Sequence, residues 1–185
     1  MKNILISGSY SVGKSSVVEH IEQNTLESER IVTYDLARWW LNNQNLRSDQ
    51  LTNKEKQALQ LFVCAGYVGA IKHAKHAQIM GVLDGSLIEA HAYSEGILED
   101  YTMDRIRDRL LDYGDHSVAY VIPPTIPLEN DGLRHNDKEF RIVIHERIMQ
   151  VIEAFRIPYH LLTSQTVEGR ADEVLHTHKT LYHFQ

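Results

Sequence analysis

Gly8-Ser9-Tyr10-Ser11-Val12-Gly13-Lys14-Ser15 is a full match to the pattern G-x-x-x-x-G-K-[ST], and it separates two segments of different periodicity. Before it, Asn3 to Ile6 is a short apolar run that ends at the first glycine, as a buried parallel strand does. After it, Ser15 to about Asn24 carries Val17, Val18 and Ile21 on one helical face. Strand, glycine-rich turn and helix, in that order, predict a phosphate-binding loop. The glycines permit torsions that turn successive N–H groups inward, and the helix presents its positive end to the same anion. The backbone of Gly8, Ser11, Val12, Gly13, Lys14, Ser15 and Ser16 is the expected ATP-binding set. Lys14 is expected on the β- and γ-phosphates, and the Ser15 hydroxyl in the shell of a magnesium ion. A plain tight turn with an exposed lysine is the other reading of the pattern. Its place at a first strand-to-helix turn argues against that.

Outward from the loop, strand-like and helix-like runs alternate. Ile31 to Thr33 reads as a second strand, followed by a helix from about Leu36 through Leu41. Thr52 to about His76 is a long helix, with Leu59, Phe62, Val63, Tyr67 and Ile71 near three-to-four spacing and a capping box in Thr52-Asn53-Lys54-Glu55. Ile79 to Leu83, Val118 to Ile122 and Tyr159 to Leu162 are further strands, and a last helix begins near Val167. This alternation predicts an α/β fold with a mainly parallel sheet, in one domain over residues 1–185. In such sheets ligands bind beyond the carboxyl ends of the strands, where Gly8, Asp35, Asp84 and the Pro123 segment all fall.

Those strand ends supply the other candidates. Asp84 closes the run Ile79-Met80-Gly81-Val82-Leu83, and a carboxylate there can orient water on magnesium. It could instead cap a helix starting at Leu87, a role to which Ser86 is equally suited. Asp35 and Arg38 share the first turn of the second helix, and both heads are expected toward the cleft. Asp35 could take the proton of an attacking hydroxyl, and Arg38 could hold the substrate or the transferring phosphoryl group. The plain alternative is a surface ion pair. Of Trp39 and Trp40, one is expected in the core and the other could stack on a flat base. Residues from Pro123 to Arg141 form a long polar stretch rich in breakers, as a lid does. Arg134 and Arg141 are its candidate cations, Arg141 having a helix surface as its alternative place.

Composition narrows the function classes. The chain has 185 residues, 43% of them hydrophobic and 24% charged, which is ample for a core without disulfides or structural metal. Its single cysteine, Cys64, rules out an internal disulfide and is expected to be a buried structural thiol. A net charge of −6 counts against a nucleic-acid grip while leaving it open, since Arg105, Arg107 and Arg109 form a local basic group. His73/His76 and His176/His178 suggest metal pairs at first sight, but no third ligand accompanies either. The short apolar run at the N-terminus predicts neither a signal peptide nor a membrane anchor, and hence a cytoplasmic protein.

Taken together, these residues resemble the P-loop kinases of the nucleoside and nucleotide kinase group. The likeness is strongest to the branch that includes the nicotinamide-riboside kinase domain and related AAA-type ATP-binding proteins. It rests on GSYSVGKSS, on Tyr34-Asp35-Leu36-Ala37-Arg38, and on Leu83-Asp84-Gly85-Ser86 with Glu89, Ala92 and Tyr93. It continues through Asp131-Gly132-Leu133-Arg134 and the helix carrying Arg141. The resemblance implies a three-layer P-loop fold with a lid at about 123–141, and transfer of a phosphoryl group from ATP, assisted by Mg2+, to a small nucleoside- or nucleotide-like acceptor. It further implies Asp35 as acid or base, Arg38 as a substrate-site cation, Asp84 near magnesium, and Arg134 and Arg141 in the lid. No membrane partner is implied, and a homodimer stays open. Many relatives carry arginine after the strand-end aspartate, where this chain has Gly85. The rival functions are a nucleotide switch or NTPase with water as its acceptor, and a kinase acting on a modified base in DNA.

Overall fold

The computed structural model describes residues 2–26, 30–125 and 137–182. Its centre is a five-stranded, wholly parallel sheet in the order β2-β3-β1-β4-β5. The strands are β1 (Asn3–Ser7), β2 (Arg30–Thr33), β3 (Met80–Asp84), β4 (Ser117–Val121) and β5 (Tyr159–Leu161). β1 lies in the middle, with Ile4 beside Val82 of β3 on one side and Val118 of β4 on the other.

Period two along β1 divides the core. Ile4 and Ile6 face one layer with Val82, Val118 and Tyr120, against α1 (Lys14–Gln23) and α8 (Val167–Tyr182). Leu5 faces the other with Leu83, Ala119 and Val121. That second layer holds α3 (Asn53–Ala77), α4 (Leu87–Ser94), α5 (Asp100–Leu111) and α7 (Lys138–Ala154). With both faces covered, β1 and β4 are buried at every residue, so their sequences read as continuous apolar runs and not as alternation. The remaining α-helices among the described residues are α2 (Leu36–Gln44) and the short α6 (Tyr113–His116), with a 3-10 turn at Ser48–Gln50. Among the described residues no helix is long and apolar enough to cross a membrane.

Local chemistry explains the boundaries that matter for the site. The capping box at Thr52 is present in both directions and starts α3. Asp35 caps α2, accepting the Arg38 N–H at 2.9 Å. Asp137 caps α7, accepting from the N–H groups of Glu139 and Phe140. Residues 138–141, expected in the lid, are therefore the first turn of a helix. The lid expectation otherwise falls mostly on residues outside those described, Arg134 and the Asp131–Leu133 run among them. Cys64 is buried in the core, and burial pushes its thiol up to about 12, as expected for a structural side chain.

Candidate active site

The phosphate loop leaves β1 at Gly8 and enters α1 at Lys14. Its turn is made by two left-handed residues, Ser11 (φ 53°) and Gly13 (φ 86°), and Gly13 is the cap residue of α1. Alternating torsions of this kind turn consecutive N–H groups toward a common point, which makes an anion cradle. Lys14 curls back over the loop, its Nζ donating to the carbonyls of Gly8 at 2.9 Å and Ser9 at 2.8 Å.

Beside the loop, the start of α1 and the end of β3 bring together the two residues expected around a metal. The Ser15 hydroxyl donates to Asp84 Oδ2 at 2.6 Å, although 69 positions separate them in the chain. Asp84 is buried, and the cap of α4 is Ser86, whose hydroxyl accepts the Ile88 N–H at 3.1 Å. The capping alternative for Asp84 therefore falls to its neighbour. A serine hydroxyl and a carboxylate in contact form a set of hard oxygen donors, the kind that suits magnesium.

Next to this pair lies a cavity of about 760 Å³, within the usual range for a small-molecule site. Lys14, Asp35, Asp84 and Glu89 reach its wall, together with Tyr10, Tyr67, Tyr93 and Phe140. Asp35 thus faces the cleft, as its position at a strand end predicts. Arg38 does not line the cavity: its Nε lies 3.7 Å from Asp35 Oδ2 in an i,i+3 pair, with the side chain 41% exposed. Trp39 also points elsewhere, 56% exposed and stacked on Phe62 at 5.4 Å. The aromatic surface of the cleft comes from the phosphate loop and from α3, α4 and α7 instead. Arg141 is 3% exposed on the first turn of α7, which excludes a helix-surface place; burial lowers its pKa, partly countered by Tyr10 and Tyr93 nearby.

Glu89 is the residue that sequence reasoning undervalued. It is buried, and its carboxylate accepts both the Gly8 N–H at 3.0 Å and the Ser86 hydroxyl at 2.7 Å. It therefore ties α4 to the first residue of the phosphate loop. Ser86-Leu87-Ile88-Glu89 has the spacing of a capping box, a signal available in the sequence.

Gly85 accounts for the missing arginine. Its φ is +79°, and a Cβ built there would stand 2.7 Å from the Tyr67 hydroxyl. That hydroxyl donates to the Asp84 carbonyl at 2.7 Å. Burial first, and then the carboxylates of Asp35, Asp84 and Glu89, hold its pKa well above the ordinary value, so it remains a donor. Tyr67 thus fills the space into which a side chain at position 85 would have to begin. Gly85→Ala should lower stability by about 1–2 kcal/mol from the backbone alone, with more from the Tyr67 contact. A denaturant midpoint equal to that of the parent protein would contradict this account.

A parallel sheet with a phosphate loop on its central strand and an acidic strand end beside it defines a P-loop nucleotide-kinase-like fold. Residues 3–170 match the model of the AAA domain family, and the chain belongs to that family. Among solved structures it is similar to a NadR protein in complex with NR, with a TM-score of 0.70 and 19% identity, over 97% of this chain and 52% of that one. A NadR protein in complex with NAD and AMP-PNP gives 0.65 and 17%, over 96% of this chain and 49% of that one. Thymidylate kinase from Ehrlichia chaffeensis gives 0.63 and 16%, over 95% of this chain and 97% of that one. The chain thus spans about half the length of the two NadR chains, and at these identities the likeness concerns the fold alone. No curated protein matches the chain.

Proposed function

We propose that the chain is an ATP-dependent phosphotransferase that acts on a hydroxyl or phosphate of a small nucleoside- or nucleotide-like acceptor. The observation that carries this is the Ser15–Asp84 contact of 2.6 Å at the rim of a cavity large enough for such an acceptor. Phosphoryl transfer makes few covalent demands on a protein. It needs positioning, and electrostatic stabilisation of charge spread over the moving group. Lys14 is proposed to hold the terminal phosphates, and the loop's N–H groups to fix the chain of phosphates. Asp35, in the cavity wall, is proposed to accept the proton of the attacking hydroxyl; Arg38 then acts through Asp35, holding its orientation. Arg141, beside Tyr10 of the loop, and Arg134 are the proposed cations for the transferred charge. Ser15 and Asp84 are the residues proposed to hold magnesium, which when bound would neutralise charge on the phosphate oxygens. The NadR structure with AMP-PNP supports an ATP-type donor, and the NadR structure with NR and the thymidylate kinase support an acceptor of nucleoside or nucleotide type.

The test is to incubate the protein with labelled ATP and pooled nucleosides, nucleotides and DNA, and then to locate the label. Label on a nucleoside or nucleotide is the expected result. Label released only as inorganic phosphate would favour a hydrolysing switch, and label on DNA would favour a nucleic-acid kinase. Activity should require magnesium or manganese, and Asp84→Asn should raise the concentration needed by roughly 10- to 100-fold, the scale for losing a group that supports a metal site. Full activity in excess chelator would remove Asp84 from this role.

A further inference from the structure

Arg170, on the first turn of α8, is 2% exposed and among the largest fully buried side chains of the protein. Its Nε donates to the Ser164 carbonyl at 2.8 Å. Its Nη1 lies at the phosphate loop, 3.8 Å from the point where a Cβ on Gly13 would stand. Apart from the residues adjoining Gly13, no other described atom comes within 4 Å of that point. At that point Gly13 is thus bordered by one guanidinium.

The electrostatic setting of this guanidinium is unusual. Among the described residues Arg170 makes no ion pair. Glu173, three residues on, is turned to the preceding loop, where it accepts from the N–H groups of Thr163 and Ser164, both at 3.1 Å. Gly13 is also the cap of α1, so Arg170 stands at the positive end of a helix. A buried cation beside a second positive potential is unfavourable unless an anion joins them. The two cations of the loop stand apart: Lys14 bonds to carbonyls at its beginning, Gly8 and Ser9, and Arg170 borders its end.

We propose that Arg170 is a nucleotide-site cation whose guanidinium meets a phosphate, one shared by ATP and ADP, of the nucleotide bound at Gly13. This rests on the nucleotide-binding reading above. Arg170 bonds to the loop holding Ser164 and comes near the phosphate loop at Gly13.

The experiment is calorimetry of ATP, ADP and adenosine binding to the parent protein, Arg170→Gln and Arg170→Lys. Glutamine can still donate to the Ser164 carbonyl but carries no charge, whereas lysine keeps the charge with a different reach. The expected result is a loss of roughly 10- to 100-fold for Arg170→Gln, equal for ATP and ADP, the scale of a hydrogen bond to a charged group. Adenosine affinity should be unchanged, and Arg170→Lys should recover part of the loss. Equal weakening of adenosine, or no weakening of ATP, would overturn the proposal and leave Arg170 a packing residue. Should the glutamine variant not fold, the lysine variant decides alone: a loss for ATP and ADP without one for adenosine supports the proposal, and any other pattern overturns it. A parent protein that binds neither ATP nor ADP would instead remove the nucleotide reading itself, and this inference with it.

Discussion

Lys14→Ala should abolish transfer for practical purposes, with a loss of roughly 10³-fold or more, the upper end of what one preorganised transition-state donor supplies. It should also weaken ATP binding strongly, because the terminal phosphates lose a charge-assisted partner. The same ammonium donates to the carbonyls of Gly8 and Ser9, so the substitution also removes two contacts of the loop with itself. A thermal midpoint measured beside the ATP affinity separates the two effects. Each hydrogen bond contributes about 1 kcal/mol of stability. The midpoint should therefore move modestly while binding and turnover collapse. Unchanged ATP affinity and turnover would remove the basis of the whole functional reading.

Asp35→Asn should leave ATP affinity near normal and lower transfer by about 10²-fold or more, as expected for a positioned acid–base group. Because Asp35 caps α2 through its side chain, the choice of replacement matters. Asparagine is as good a cap as aspartate, whereas alanine would cost about 1 kcal/mol and confuse stability with chemistry. Arg38→Ala should reduce transfer less, since Arg38 touches Asp35 and does not reach the cavity wall. The measurement is ATP affinity by calorimetry beside product formation on the acceptor found in the pooled assay. Normal transfer in both variants would return Asp35 and Arg38 to a helix cap and a surface ion pair. Slow hydrolysis with no acceptor would put the switch in the lead.

The legible part of this fold is the part written in short-range signals. The loop pattern, the buried runs of β1 and β4 and the capping box at Thr52 each depend on neighbours a few positions apart, and each predicts its element correctly. The position of Asp84 at a strand end was legible too. That its carboxylate would meet Ser15 was not, because the contact joins the start of α1 to the end of β3 across 69 positions. Helix α5 escaped because its buried face consists of only Met103, Ile106 and Leu110 within a highly charged segment. Arg38 was expected to face the cleft but lies against Asp35 outside the cavity wall, because helical spacing says which residues share a turn and not which of them look into the cleft. Arg170 gave no sequence signal at all, since one arginine on an amphipathic helix reads as an exposed one.

The central place of β1 bears on how the chain acquires its shape during synthesis. The strand carrying the phosphate loop is near the start of the chain, yet its partners are β3 and β4, whose paired residues run from Val82 to Asp84 and from Ser117 to Val121. Such distant pairings carry the entropy of closing long loops and belong to slow-folding topologies. A ribosome must therefore deliver residues Ser117 to Val121 before the cradle-bearing strand has a neighbour on both sides. Until then the apolar run from Asn3 to Ile6 has at least one unpaired edge, a state that favours aggregation and calls for chaperone cover.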